Sequence, residues 1–226
     1  MADNKFTVRP APFLKKQTDV KMIMWTVVLA LLPTTVWAIY LYKFNAVVVI
    51  LSTILFTELF EMLFLKIRGR KNIVATAFDG SAFITGLLLA LNLPSTAPWW
   101  MCAVGAFVAM LFGKHIFGGL GHNPFNPALL ARVFLLLSFP TLMTTWKQGI
   151  SLDAMSYATP RGMLKTEGVA SVQNLNYWRL FAGLPVNGVG GGSIGEISEL
   201  AVLIGGILLI ALRVIPFFIP CALAPK

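Results

Sequence analysis

The chain has 226 residues, 57% of them hydrophobic and 12% charged, about half the charged fraction of a soluble domain. With a mean hydropathy of +0.78, it reads as an all-α, polytopic membrane protein. The net charge of +9 would point to nucleic acid in a soluble protein, but here it reads as Lys and Arg gathered on one side of a bilayer, with lipid rather than nucleic acid as the partner.

Residues 1–21 are polar, with Lys5, Arg9, Lys15, Lys16 and Lys21, and form a cytoplasmic N-terminal arm. No small-residue cleavage site follows at signal-peptide spacing, so the next apolar run is an uncleaved first span. Met22 to Tyr42 is long enough to cross a bilayer, and Pro33 should kink it. After a turn at Lys43-Phe44-Asn45, Ala46 to Leu65 crosses back, carrying Glu58 and Glu61 on one helical face. The basic cluster Lys66, Arg68, Arg70, Lys71 closes it.

Ser81 to Leu93 is too short for a full crossing, and it is opened by Asp79-Gly80 and closed by Pro94. Such a segment is expected to be a discontinuous helix lining a cavity inside the protein. Trp99 and Trp100 stand where an interfacial aromatic belt would, and Met101 to Phe117 makes a fourth span ending in Lys114-His115. Two Asn-Pro pairs, Asn123-Pro124 and Asn126-Pro127, then precede the apolar run Leu129 to Trp146. Each Asn can cap a helix and each Pro fits a first helical turn, so they read as stacked helix starts.

Residues 22–146 thus form a five-span bundle and 147–195 an exterior loop with a Gly-rich stretch. Residues 196–226 hold a sixth span, Ile197 to Leu212, and a short tail. With the N-terminus in the cytoplasm, thirteen of the 18 Lys and Arg fall inside, Lys114 and Arg132 among them. Cys102 and Cys221 fit no metal-ligand spacing and come near opposite faces, so neither a metal site nor a disulfide is expected.

The acids Glu58, Glu61 and Asp79 are the costly residues, since a charge at the bilayer centre costs at least about 3 kcal/mol. They read either as a cation or proton path, or as a protonated helix contact (Glu58) and a helix cap (Asp79). His115 and His122 are seven apart with a Gly-Gly turn between them, so one helix cannot present both to a haem. They are expected at headgroup level.

The stretch from Lys114 to Ala128, KHIFGGLGHNPFNPA, resembles the signature of the D subunit of the Rnf electron-transport complex. The B subunit of the sodium-pumping NADH:quinone reductase shares it more loosely. The resemblance extends to Asp79-Gly80-Ser81-Ala82, Thr85-Gly86-Leu87-Leu88, Pro98-Trp99-Trp100, Ser138-Phe139-Pro140, the stretch Asp153 to Pro160, and Gly192-Ser193-Ile194-Gly195-Glu196. It implies FMN esterified through its phosphate to Thr159 by a separate flavin transferase, with Ser156, Tyr157 and Ala158 beside it. The usual flavinylation pattern has Gly where Tyr157 stands.

The resemblance also implies a second, noncovalent flavin such as riboflavin, for which Asn123 and Asn126 are candidates, and it matches Glu61 and Asp79 to the family's acids. The implied function is a membrane subunit of an ion-translocating ferredoxin:NAD oxidoreductase. It would sit in the cytoplasmic (inner) membrane with the A, B, C, E and G subunits and the Thr159 loop outside. It would relay electrons through FMN and couple them to Na⁺ or H⁺. The family's chains continue past the Arg213-Val214-Ile215 turn to complete a second, inverted repeat, so this chain, shortened at its C-terminus, is expected to hold half of that architecture.

Two alternatives stand beside this reading. The quinone-reductase B subunit usually carries a longer N-terminal arm. A urea- or water-type channel also uses Asn-Pro caps and broken helices but needs no flavin.

Overall fold

The computed structural model describes residues 20–69, 73–145, 165, 176–184 and 192–216. Thr159, Ser156, Tyr157 and Ala158 lie outside them. The described residues form helices and no strands. α1 is Val20–Tyr42, α2 Phe44–Ile67, α3 Ile73–Ala77, α4 Ser81–Asn92 and α5 Trp99–Met110, which runs on into a π-helical turn, Leu111–His115. After it come α6 (Pro127–Ser138), α7 (Pro140–Thr144), α8 (Tyr177–Ala182) and α9 (Glu199–Ala211).

Contacts fix the direction of each helix. Gly80 lies against Met24 and Trp25 of α1, so the start of α1 is level with the start of α4. Lys114 reaches both Ser81 and Glu61, which brings the end of α5 to the same level. Gly113 packs on Pro127, adding the start of α6. At the opposite end, Phe56 stacks near Trp99 and the Trp37 indole donates to the Gly183 carbonyl. The amides of Ile194 and Gly195 donate to the Leu93 and Leu91 carbonyls, 3.0 and 2.7 Å, and so pair groups at the C-terminus of α4. α1, α2, α4, α5, α6 and α9 therefore run alternately up and down.

Small residues at the contacts let the helices come close around a core that also holds Leu89, Leu93, Met101 and Leu135, and many large apolar side chains still face outward. Ala30, Ala38, Ala46, Ala82, Ala90, Ala106, Ala109, Ala128 and Ala131 are buried, while Leu51, Leu55, Leu59 and Leu63 form an exposed stripe along α2. A soluble protein seldom exposes such a surface, whereas helices in lipid associate through small residues that let backbones approach. Gly86 is the clearest case within α4, because a Cβ there would stand 2.9 Å from the Ile54 Cα. Gly205 of α9 is tighter still against the Ala30 carbonyl. Gly205→Val is expected to push α9 from α1 and cost about 1–3 kcal/mol, read as a lower unfolding temperature in detergent. Gly206→Ala, which meets open space, should leave that temperature unchanged.

α1 and α2, 23 and 24 residues, are long and apolar enough to cross a membrane. α4, α6 and α9 are apolar but shorter, about 18–20 Å each at 1.5 Å per residue. The short, interrupted third segment is as expected: α3 ends, residues 78–80 turn, and α4 begins behind Gly80 at φ 92°. The preceding helix α3 had no signal in the sequence.

Other boundaries differ from expectation. Helix α1 starts at Val20 and continues through Pro33, and the turn after it narrows to Lys43, at φ 50°. The run Leu129 to Trp146 divides at Phe139 (φ −132°, ψ 59°), because Pro140 disfavours helical backbone in the residue before it.

Candidate functional site: a buried carboxylate held by a lysine and a histidine

Glu61 sits on α2 six residues before its end and is 1% exposed. A carboxylate this deep needs partners, and each of its oxygens has one. Lys114 Nζ donates to Oε1 at 2.7 Å, and His115 Nε2 lies 2.8 Å from Oε2. The same ammonium donates to Ser81 Oγ at 2.7 Å, in the first turn of α4. Lys114 and His115 are themselves buried, 3% and 7% exposed. Three chain segments, 53 residues apart between Glu61 and Lys114, thus converge on one carboxylate.

The π-helical turn is what lets consecutive residues share a target. Successive side chains of an α-helix point in directions about 100° apart, and the wider π turn, a form concentrated at functional positions, relaxes that divergence. Gly113 makes the turn possible on its other side, where a Cβ would meet Pro127 Cα at 2.6 Å. Phe64 lies against the His115 ring with centroids 5.1 Å apart. Phe60 and Phe107 continue that apolar wall.

An ionised carboxylate only accepts, so His115 Nε2 carries the hydrogen of that bond. Its Nδ1 is buried without a partner, as is Glu58 Oε2 one turn along α2. Glu58 lies within electrostatic reach of Glu61, Lys114 and Asp79.

Asp79 is placed as a cap: its Oδ1 accepts from the Ser81 amide at 2.7 Å, while Ser81 Oγ takes the Lys114 ammonium. The cap and the path are therefore compatible roles, joined through Ser81. Glu61 and Asp79, both candidates from the sequence, are brought to one end of the bundle. Lys114 and His115 are the functional residues that sequence reasoning misplaced. His115 is no headgroup histidine, since it is buried against Glu61, and Lys114 is no rim cation. His122 is exposed.

The two Asn-Pro pairs are not equivalent. Asn126 caps α6, its Oδ1 accepting from the Ala128 amide at 3.0 Å. Asn123 starts no helix, and its Oδ1 is buried without a partner. Arg132 is also misplaced by counting charges. It donates to Asn92 Oδ1 and pairs with Glu196 at 3.3 Å, so it serves the far end of the bundle. There a cavity of about 330 Å³ opens between α1, α9 and the 193–196 segment. Cys102 is buried and free, and no group of three His, Cys, Asp or Glu side chains among the described residues could hold a metal.

A helical bundle with alanine and glycine at its helix contacts, an exposed leucine stripe and a buried, ion-paired carboxylate defines a helical membrane protein that carries charge in its interior. The chain belongs to the NQR2, RnfD, RnfE family, whose model matches residues 7–224. It is 38% identical over 225 residues to the D subunit of the proton-translocating ferredoxin:NAD(+) oxidoreductase complex of Clostridium ljungdahlii, covering 96% of this chain and 66% of that one. It is 41% identical to the D subunit of the ion-translocating oxidoreductase complex of Stutzerimonas stutzeri, covering 90% and 64%. With the D subunit of the Na(+)-translocating ferredoxin:NAD(+) oxidoreductase complex of Acetobacterium woodii it shares 40%, covering 97% and 67%. The chain spans about two thirds of the length of these relatives.

Proposed function

We propose that the chain is the membrane subunit of an Rnf-type ferredoxin:NAD oxidoreductase complex, coupling electron relay through FMN on Thr159 to transport of Na⁺ or H⁺. The observation that carries this reading is Glu61, buried and doubly paired at one end of a bundle of this family. A charge buried in a membrane protein is costly, and function is its default explanation. Relatives named for protons and for sodium stand at 38% and 40% identity, so similarity does not choose the ion.

In this reading the six alternating helices are six crossings, with the N-terminus in the cytoplasm of the inner membrane and the Thr159 loop outside. A flavin transferase loads Thr159, and the A, B, C, E and G subunits complete the assembly. A flavin supplies one- and two-electron chemistry when bound, and the protein supplies position, burial and electrostatics. Asn123 suits a noncovalent flavin: its buried, unpartnered Oδ1 is an acceptor waiting for an N–H, and a riboflavin ring carries one. Asn126 stands beside it with its own Oδ1 engaged at the start of α6. Glu61 and Asp79 would serve the ion, at the end of the bundle that also holds the start of α6.

Peptide mass spectrometry of the chain isolated from its native complex tests the reading. The expected result is a gain of one FMN less one water on the peptide containing Thr159. An unmodified Thr159 in a complex active with ferredoxin and NAD would remove the flavin relay.

A further inference from the structure

We propose that Lys114 is the resident counter-cation of Glu61, and that a transported unit positive charge, Na⁺ or a proton, reaches Glu61 only when the ammonium is displaced. This rests on the reading of Glu61 as part of the ion path. In the structure Glu61 is 1% exposed, each of its oxygens already accepts a hydrogen bond, and its charge is paired with the Lys114 ammonium. A second unit cation brought to a buried carboxylate that is already paired meets the like charge of the first, so the path needs an exchange step.

The neighbourhood is built for one. Among the described residues, Glu58 lies within electrostatic reach of Glu61, Asp79 and Lys114, and the His115 ring bonds the second oxygen of Glu61. These three acids outnumber the one ammonium they share, and Glu58 Oε2 is buried without a partner. Lys114 already bridges Glu61 and Ser81. Breaking its bond to Oε1 leaves it on Ser81 Oγ, next to the Asp79 cap and still within the field of Glu58. With Na⁺ no covalent bond changes; with a proton, one O–H bond forms on Glu61 as one breaks in the water that delivers it. In either case one ammonium moves toward Glu58 and Asp79.

The π-helical turn that carries Lys114 and His115 is an element that can return to α geometry and re-aim both. His115 is 7% exposed, and its Nδ1, buried and without a partner, offers the site a second proton-accepting position. That position distinguishes a proton from Na⁺ in the same cluster.

The test is carbodiimide labelling of Glu61 in the intact complex, read by peptide mass spectrometry. Dicyclohexylcarbodiimide adds to a protonated carboxyl group, and the adduct rearranges to a stable acylurea. Wild-type complex at rest is expected to label slowly. Lys114→Met should label faster on the order of tenfold, the worth of one charge-assisted hydrogen bond. Suppression of that labelling by added Na⁺ at fixed pH identifies a sodium site, and suppression by raised pH alone identifies a proton site.

If Lys114→Met does not assemble, wild-type complex turning over with reduced ferredoxin and NAD⁺ decides the matter, since the gate should then open and labelling should rise. Labelling unchanged from resting wild type, in the variant or under turnover, overturns the exchange. Glu61→Gln separates the two ideas. If it still moves ions normally, the path reading fails; if it stops transport while Lys114→Met stays unlabelled, only the gate fails.

Discussion

Membranes in which Glu61 is replaced by alanine are expected to hold little assembled protein, and what remains should move no ions. The substitution strands two buried donors at once. The Lys114 ammonium keeps only Ser81 Oγ among its named partners, and His115 Nε2–H loses its acceptor. Breaking a buried pair by removing one member costs about 3–5 kcal/mol, a large share of the roughly 5–15 kcal/mol that holds a typical fold together. Glu61→Gln should be milder, about 1–3 kcal/mol. Its carbonyl oxygen still accepts from Lys114, but its amide opposes the His115 Nε2–H, so the ring must give up that hydrogen and donate through Nδ1, where nothing accepts it. Fluorescence-detected size exclusion after heating reads the stability order: wild type, then Gln, then Ala.

Thr159→Ala is expected to have the other large effect, on redox activity. A phosphoester needs an oxygen on the side chain, and alanine has none, so in-gel flavin fluorescence should vanish from this chain and electron flow between ferredoxin and NAD should fall to background. Thr159→Ser keeps a hydroxyl at the same place and should retain part of both signals. The Glu61 network is built from Glu61, Ser81, Lys114 and His115, so Thr159→Ala removes none of its bonds and should leave thermal stability of the membrane bundle close to wild type. Loss of flavin with loss of assembly would instead mean that the loop is structural.

Much of the bundle was legible because lipid imposes a simple rule: apolar runs become helices, and polar breaks end them. The break at Asp79-Gly80 could be placed from residue types alone, since Asp can accept from the next helix's amides and Gly tolerates positive φ. Asn126 was readable for the same local reason.

What could not be read is whatever depends on a partner far along the chain. Lys114, His115 and Arg132 look like rim residues to any count of charges. Their burial or engagement follows from pairing with Glu61, Asn92 and Glu196, 40 to 64 residues away. The π-helical turn leaves no mark in a hydrophobic pattern of period 3.6, so nothing announced that Lys114 and His115 would face the same way. Asn123 failed differently: it has the dipeptide of a helix start, and tertiary packing put it in a loop.

The most direct measurement is the number of ions moved per NADH formed by Glu61→Gln complex in sealed vesicles, compared with wild type at equal flavin content. If the buried carboxylate carries the transported charge, the ion gradient per NADH should fall to background while flavin stays on Thr159. A Glu61→Gln complex that builds the gradient at the wild-type ratio would contradict the account.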